Sequence, residues 1–236
     1  VVDTRPAAAF AAGHLPGALN VPLGAQFPTW AGTVLPYDRD LMLLLDDDGC
    51  EHGADAALRG LTAVGLDRVV GVLGPSALEA WTAAGRPLAT VAQTTPDEAA
   101  ARLARGEVTL VDVRVQAEWA AGHVAGAVHM PLGDLAARAG ELPAGRPVVV
   151  HCQGGARSAI AASVLQAHGL ADVHNLAGGY AAWQRAGLPT VADAVETPAH
   201  EPAHEDAGVG PGGATPAAPA SAGAVPAGAV LAGAGV

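Results

Sequence analysis

The sequence predicts an α/β fold built from two copies of one unit, each a mainly parallel sheet with helices on both faces. Three observations support this fold class: an internal repeat, an alternation of short β-branched runs with alanine-rich segments, and glycines placed where helices should end. Strands that alternate with helical segments are typical of parallel sheets, because each crossover connection lays a helix against the sheet.

The internal repeat divides the chain into two domains and a tail. The matching segments are residues 2–5 with 111–114, 11–18 with 120–127, 22–24 with 131–133, and Trp81 with Trp183. We predict one domain over residues 1–91 and a second over residues 95–191, each of ordinary domain size. Residues 192–236 are rich in Ala, Pro and Gly, a composition that predicts a disordered tail.

The second domain should begin with a helix over residues 96–105. Thr95 fits its N-cap, Pro96 its first position, and Glu98 completes a capping box. The pattern of apolar runs predicts strands at residues 108–113, 128–130, 148–151 and 173–176. The segments between them predict helices at residues 116–121, 132–139, 158–168 and 180–185.

The most informative stretch is a β-branched run that stops at Cys152. The residues that follow are Gln153, Gly154, Gly155, Ala156, Arg157 and Ser158, and then an alanine-rich segment. Glycines in such a turn let backbone N–H groups point inward, and the helix start adds partial positive charge. Cys152 should therefore be a thiolate, because thiol pKa values fall from ~8.5 to about 3.5–7.5 in such places. A buried, inert cysteine is the alternative, but it leaves the glycine pair and Arg157 unexplained.

This stretch resembles the active-site loop of rhodanese-family sulfurtransferases, whose single-domain members read Cys-x-x-Gly-x-Arg-Ser. Further matching motifs occur in the expected order at residues 111–114, 118–119, 122–127, 176–180 and Trp183. The resemblance covers residues 95–191 and implies covalent sulfur transfer without a cofactor. It implies that Cys152 takes sulfur from thiosulfate or a low-molecular-weight persulfide and passes it to a thiol, sulfite or cyanide.

The same resemblance assigns roles within the loop. Cys152 is the expected nucleophile, and Arg157 is expected either to supply charge to an anionic donor or to brace the loop. The backbone N–H groups of the loop should hold the persulfide sulfur, as an oxyanion hole holds oxygen. The expected substrate-binding residues are Gln153, Gly154, Gly155, Ala156 and Ser158.

Other polar residues near these motifs are expected to be structural. Asp112 and Arg114 should fix neighbouring loops through hydrogen bonds. His14 and His123 occur in both copies, which indicates a shared structural role. His151 precedes the nucleophile, but adjacent side chains on a strand point to opposite faces. We therefore expect the His151 side chain to point away from that of Cys152.

The first domain is expected to have lost this chemistry. Alignment by strand ends places Asp47 at the nucleophile position, whereas alignment by cysteines places Cys50 there and Asp55 in place of Arg157. The carboxylates clustered in residues 46–55 would raise the pKa of a nearby thiol. We therefore predict that the first domain is a structural or regulatory partner.

Two other functions stay open from the sequence. Dual-specificity cell-cycle phosphatases resemble the rhodanese fold, and a cysteine-dependent phosphatase or arsenate reductase would also use a Cys…Arg loop. The phosphatase loop has one more residue between the two than separates Cys152 from Arg157, which makes room for a tetrahedral oxyanion. The second alternative is a non-catalytic sulfur carrier or scaffold that delivers persulfide to a partner.

The order of a degraded copy before an intact one resembles the carboxyl-terminal half of fusions with a persulfide dioxygenase of the metallo-β-lactamase fold. Phe10 and residues 13–20 and 30–32 carry this resemblance. The metal-binding His-x-His-x-Asp-His run of such enzymes does not occur in the sequence, so we assign no metal. The chain starts without Met and lacks a first helix in copy one, so we expect such a domain to precede Val1.

Charge and cysteine content limit the partners. A formal net charge of −11 at pH 7 disfavours nucleic acid and anionic membranes. Cys50 and Cys152 are too few for a disulfide framework, which predicts a reducing, cytoplasmic setting. His200 and His204 have helical spacing, but neighbouring prolines disfavour a helix and hence a metal site. The apolar end of the tail is too short to span a membrane.

Overall fold

The computed structural model describes residues 1–46 and 50–192, and of Cys50 and Glu51 only the backbone. The predicted disordered tail, with His200 and His204, lies outside the described residues apart from Ala192. Asp47 lies outside them as well. Within the described residues, no helix combines the length and the apolar character that a membrane span requires.

Short strands and helices alternate along the described chain. The strands are β1 (Val2–Asp3), β2 (Leu19–Asn20), β3 (Leu41–Leu44), β4 (Val69–Leu73), β5 (Ala92–Thr94), β6 (Thr109–Asp112), β7 (His123–Val124), β8 (Val128–His129), β9 (Val148–His151), β10 (Val173–Leu176) and β11 (Thr190–Val191). The helices are α1 (Ala7–Ala12), α2 (Phe27–Val34), α3 (Cys50–Ala63), α4 (Ser76–Ala83), α5 (Pro96–Ala104), α6 (Gln116–Ala121), α7 (Leu135–Arg138), α8 (Ala156–Ala167) and α9 (Gly179–Arg185).

The two main sheets repeat one strand order. The first runs β2-β1-β3-β4 and the second runs β8-β6-β9-β10-β5, so that β1 corresponds to β6 and β3 to β9. The pairs described within these sheets are parallel. A separate antiparallel pair joins β11 to β7. The predicted fold class, α/β with two similar domains, parallel sheets and flanking helices, is confirmed.

Local sequence signals set several element boundaries correctly. The strands β9 and β10 and the helix α6 have their predicted bounds. The capping box at α5 is also confirmed, because the Glu98 N–H donates to Thr95 Oγ1 at 3.4 Å and the Thr95 N–H donates to the Glu98 carboxylate at 3.0 Å. These signals depend on neighbouring residues alone.

Two predicted helices differ from the observed ones by more than one residue at an end. The helix predicted at residues 132–139 is wrong at both ends, because a turn through Gly133 and Asp134 delays it and a 3₁₀ turn over Ala139–Glu141 follows it. The helix predicted at residues 158–168 begins earlier, at Ala156, because Gly155 caps it in the left-handed conformation with φ of 105°. Ala156 and Arg157 therefore lie in the first helical turn and not in the loop.

Helix α8 lies between the two halves of the chain. It packs against β9 and β10 of the second domain and against β2 and α1 of the first. The Asn20 N–H in β2 donates to Ser163 Oγ in α8 at 2.9 Å, and Phe10 belongs to the same apolar cluster as Ile160. A helix that is apolar on all sides is typical of such a buried position. The two domains therefore share a core around the helix that follows Cys152.

The repeated histidines make equivalent contacts in the two domains. His14 stacks on Phe10 with ring centres 3.7 Å apart, and its Nδ1 lies 2.9 Å from the Phe10 carbonyl oxygen. His123 stacks on Trp119 at 3.6 Å, and its Nδ1 lies 3.1 Å from the Trp119 carbonyl oxygen. Each ring fastens the end of a short helix, so the shared structural role expected for both is confirmed.

Candidate active site

The sulfur of Cys152 lies at the carboxyl end of β9, the central strand of its sheet. Cys152 is the first residue after the strand, and the chain turns through Gly154 and Gly155 into α8. The Gly155 N–H donates to Cys152 Sγ at 3.2 Å, and the Ser158 hydroxyl donates to it at 3.6 Å. Sites in parallel sheets form at this edge, where strands end and helices begin. The loop therefore surrounds one sulfur atom with donors.

These donors change the acidity of the thiol. Burial raises the pKa of Cys152, whose residue is 2% exposed, but the hydrogen bonds to its sulfur act in the other direction. They come from the Ser158 hydroxyl and from the backbone N–H groups of Ser158, Gly155 and Gly154, and together they hold the pKa below its ordinary value. The start of α8 adds positive potential at the same point. The sulfur is thus buried, yet held in an environment that stabilises a thiolate.

We expect Ser158→Ala to raise the pKa of the Cys152 thiol. Among the hydrogen bonds that lower this pKa, the one from the Ser158 hydroxyl has the largest effect. The measurement is the thiolate ultraviolet absorbance as a function of pH, in a Cys50→Ser background so that one thiol titrates. Ser163→Ala is the control in the same helix, because the Ser163 hydroxyl bonds to the Ile160 carbonyl and the Asn20 N–H and not to the sulfur. An unchanged titration midpoint in Ser158→Ala would contradict the role given to this hydroxyl.

The loop is held from behind by the start of α9. The Tyr180 N–H donates to the Cys152 carbonyl at 2.8 Å, and the Ala181 N–H donates to the Gln153 carbonyl at 3.0 Å. Gly179, with φ of 58°, lies so close that a Cβ there would overlap the Cys152 carbonyl oxygen. Because the carbonyl groups of Cys152 and Gln153 bind α9, the N–H groups of the same two peptides point away from α9, toward the side of the loop where the sulfur lies.

Arg157 is bound to a carboxylate of the neighbouring helix α6. Its Nη1 donates to Glu118 Oε2 at 2.6 Å and its Nη2 donates to Glu118 Oε1 at 2.8 Å. This pairing lowers the pKa of Glu118 and raises the pKa of Arg157, which also interacts with the sulfur of Cys152. This ion pair fastens the first turn of α8 to α6, an arrangement consistent with the bracing role expected for Arg157. A role toward the donor is a proposal.

A second arginine, Arg114, forms hydrogen bonds to three segments next to the site. Arg114 Nη2 donates to Asp112 Oδ2 at 2.6 Å and to the Gly122 carbonyl at 2.7 Å. Its Nη1 donates to Gln153 Oε1 at 3.3 Å, and its guanidinium lies 4.0 Å above the ring centre of Tyr180. The expectation that Asp112 and Arg114 fix neighbouring loops is confirmed. The Gln153 side chain is engaged by this network.

The first domain repeats this arginine arrangement. Arg5 Nη2 donates to Asp3 Oδ2 at 2.7 Å and to the Gly13 carbonyl at 2.9 Å. The two pairs occupy equivalent strands, β1 and β6, and fasten equivalent turns. The repeated sequence motif therefore forms the same hydrogen bonds in both domains. These bonds do not involve a cysteine.

His151 is buried beside Asp112 and does not form part of the sulfur cradle. Its Nε2 lies 3.7 Å from Asp112 Oδ2, and its Nδ1 lies 3.4 Å from the Cys152 carbonyl oxygen. Burial lowers the pKa of His151 to about 4, with Arg114 adding to the effect and Asp112 opposing it. The imidazole is therefore neutral at pH 7. Its contacts are with the strand end, as expected for a side chain on the opposite face.

The sheet register identifies the first-domain position that corresponds to Cys152. Leu44 pairs with β1 as His151 pairs with β6, so these are the equivalent last residues of β3 and β9. Leu45 therefore takes the place of Cys152, and it is a buried leucine. A leucine has no nucleophilic group, so this position in the first domain cannot form a persulfide.

Both sequence alignments of the first-domain loop are wrong at this position. Asp47 lies two residues beyond Leu45, and Cys50 opens α3 instead of preceding it. The sequence between β3 and α3 is one residue longer than that between β9 and α8, so neither the strand ends expected from sequence nor the cysteines mark equivalent positions. Pairing across the sheet was needed to find the register. The side chain of Cys50 lies outside the described residues.

A cleft of about 500 Å³ opens beside the loop, between α1 and α8. Alanines of α1 form one wall, and Gly155 and Ala159 line the other together with the amides of Gln93 and Asn175. The first domain thus contributes a wall to a cleft that touches the loop. Within residues 1–46 and 50–192, no group of three or more His, Cys, Asp and Glu side chains is placed to hold a metal ion.

Sequence reasoning assigned no role to two features that the structure brings to the site. Glu118 was part of a matching motif, and its pairing with Arg157 joins residues far apart in the chain. Gly178 and Gly179 were also part of a motif, and a glycine pair one residue beyond the end of a strand is a signal for close backbone approach. Of the predicted substrate-binding residues, Gly154, Gly155 and Ser158 direct donors at the sulfur.

The fold and the site together define an α/β domain centred on a cysteine, present once intact and once with a leucine in its place. The chain belongs to the rhodanese-like domain family, whose family model matches residues 1–83 and again residues 95–186.

Named relatives of this chain include sulfurtransferases. A sulfurtransferase from Allochromatium vinosum is 44% identical over 86 residues, which is 36% of this chain and 80% of the relative. The thiosulfate sulfurtransferase GlpE from Pseudomonas fluorescens is 40% identical over 91 residues, 38% of this chain and 82% of the relative. The crystal structure of the Alr3790 protein from Anabaena sp. is 34% identical, with a TM-score of 0.41 over 43% of this chain and 94% of that one.

Proposed function

We propose that this protein is a sulfurtransferase that carries sulfane sulfur on Cys152. The observation that supports this most directly is the set of donors around one sulfur atom, from the Gly155 N–H and the Ser158 hydroxyl at the start of α8. A persulfide is an anion whose charge rests on sulfur, and such donors stabilise it as an oxyanion hole stabilises oxygen. The sulfurtransferases among the relatives support the same reaction class.

The reaction has two displacement steps. The Cys152 thiolate attacks the outer sulfur of the donor, a new S–S bond forms at Sγ, and the donor's own bond to that sulfur breaks. The bonding electron pair leaves with the rest of the donor, as sulfite from thiosulfate or as a thiolate from a persulfide. An acceptor thiol, sulfite or cyanide then attacks the outer sulfur of the Cys152 persulfide and restores the thiolate. This is covalent catalysis with ping-pong kinetics.

The loop residues divide this work in our proposal. Gly154, Gly155 and Ser158 hold negative charge on the sulfur through their N–H groups, Gln153 shapes the turn, and Ala156 begins α8. Arg157 holds the loop in place through Glu118 and contributes positive charge near Sγ. The reaction needs no cofactor, and it needs a reduced Cys152, so we place the protein in a reducing compartment such as the cytoplasm.

The setting of the reaction is a further part of the proposal. The resemblance to fusions with a persulfide dioxygenase of the metallo-β-lactamase fold supports a role for this pair of domains as their sulfur-transfer part. In that setting the first domain, with Leu45 at the nucleophile position, serves as a structural partner. A pure carrier role would differ only in the acceptor, a partner protein in place of a small molecule.

Intact mass after incubation with thiosulfate or glutathione persulfide tests the function. We expect a gain of one sulfur atom, about 32 Da, that cyanide removes. The gain should be absent in Cys152→Ser and present in Cys50→Ser, which is the matched control. A gain that follows Cys50 would overturn the assignment of the two domains, and turnover of a generic aryl phosphate would favour a phosphatase.

A further inference from the structure

We propose that Glu118 is a specificity-determining residue of the second domain, which binds Arg157 and thereby disfavours dianionic sulfur donors relative to low-molecular-weight persulfides. The inference rests on the sulfurtransferase function proposed above and selects between the donors left open there. Glu118 acts through Arg157, so it is a positioning residue and not a catalytic one.

The geometry commits the end of the Arg157 side chain to the carboxylate. Both terminal nitrogens donate to Glu118, at 2.6 and 2.8 Å, in the bidentate arrangement that suits a guanidinium and a carboxylate. The Val115 N–H also donates to Glu118 Oε2 at 3.3 Å, which fixes the carboxylate at the start of α6. The two side chains are 19% and 30% exposed, so the pair is open to solvent, and Arg157 also interacts with the Cys152 sulfur.

The charge balance at the loop follows from this pairing. Arg114 donates to the Gln153 side chain of the loop, Arg157 lies in the first turn of α8, and each of the two is matched by a carboxylate. An anionic donor therefore meets Glu118 beside Arg157 and not an unpaired cation. The repulsion energy between a carboxylate and a dianion such as thiosulfate is twice that between a carboxylate and a monoanion at the same distance. The reacting end of a persulfide carries at most a single charge, and any carboxylates lie several bonds away.

The leaving groups differ in the same direction. Attack of the Cys152 thiolate on thiosulfate breaks its S–S bond and releases sulfite, which carries the electron pair and two negative charges past Glu118. Attack on a persulfide releases a thiolate that takes up the donor's proton and departs as a neutral thiol group. Each step transfers one sulfur and needs no external oxidant or reductant. Glu118 thus disfavours the binding of the dianion, whether it is the donor or the sulfite that is released from it.

The test compares thiosulfate and glutathione persulfide as donors, with cyanide as acceptor, in the wild type, Glu118→Gln and Arg157→Gln. In Glu118→Gln the ratio of kcat/KM for thiosulfate to that for persulfide should rise about tenfold, mainly through a lower KM for thiosulfate. In Arg157→Gln, where the carboxylate is left unpaired, the ratio should fall. Glu107→Gln is the matched control, because Glu107 forms a bidentate pair with Arg105 before the start of β6 and should leave the ratio unchanged.

The possible outcomes distinguish a failure of this inference from a failure of the proposed sulfurtransferase function. If the carboxylate only holds the loop together, both donors lose activity equally in either variant and the ratio stays constant, which would overturn the inference alone. A wild type that accepts sulfur from neither donor would overturn the sulfurtransferase function and the inference with it. Ratios that move in opposite directions in the two variants are the expected result, and a loss of folding in one variant leaves the other as the test.

Discussion

Alanine in place of Gly179 is expected to abolish persulfide formation at Cys152 and to lower the free energy of unfolding by roughly 2–4 kcal/mol. Gly179 has a φ of 58°, a left-handed conformation that a side chain disfavours. An added Cβ would overlap the Cys152 carbonyl oxygen and lie 2.9 Å from the Gln153 carbonyl oxygen. Those oxygens accept the N–H groups at the start of α9, so the loop would have to move away from its anchor.

The measurement pairs urea unfolding with intact mass after exposure to a sulfur donor. Gly140→Ala is the control, because nothing lies within 4 Å of a Cβ at that position and its φ is outside the left-handed range. Gly154→Ala is a second comparison within the loop, where a Cβ also has open space. Should Gly179→Ala gain sulfur as fast as the wild type, the anchoring of the loop by α9 would not be needed for the chemistry.

Features that depend on local sequence could be predicted, and the fold class follows from them. Thr95 and Glu98 mark a helix start through contacts three residues apart, and the β-branched run before Cys152 marks a buried strand. The repeat then fixes the number of domains, because equivalent segments such as residues 2–5 and 111–114 fold alike. Cys152 and the donors at Gly155 and Ser158 follow from one stretch of sequence, so the centre of the candidate site could be predicted, although the cap at Gly155 starts α8 earlier than expected.

Features that depend on pairing between distant segments could not be predicted. The carboxylate that binds Arg157 comes from a helix 39 residues earlier. The first-domain counterpart of Cys152 is Leu45, which only the pairing of β1 with β3 reveals, since the loop lengths differ. The burial of α8 between two domains has a signal, its lack of a polar face, but nothing local says which elements cover it. Register and packing partners are properties of the assembled sheets.

Methionine in place of Arg114 is expected to lower the free energy of unfolding by about 3–5 kcal/mol, because it leaves a buried carboxylate without its partner. The side chains of Arg114 and Asp112 are 2% and 0% exposed, and the guanidinium also donates to the Gly122 carbonyl. Water cannot replace these bonds at such depth. The loop would lose its contact with the Gln153 side chain at the same time.

Arg5→Met separates the loss of stability from the loss of the site. The Arg5–Asp3 pair has the same geometry and burial in the domain that carries Leu45, so its loss should lower stability by a similar amount. Urea unfolding measures the first effect, and sulfur gain per folded molecule measures the second. Arg114→Met should reduce both quantities, whereas Arg5→Met should reduce stability alone. If both variants gained equally little sulfur, the site would be disturbed through the shared core around α8 and not through the lost contact with Gln153.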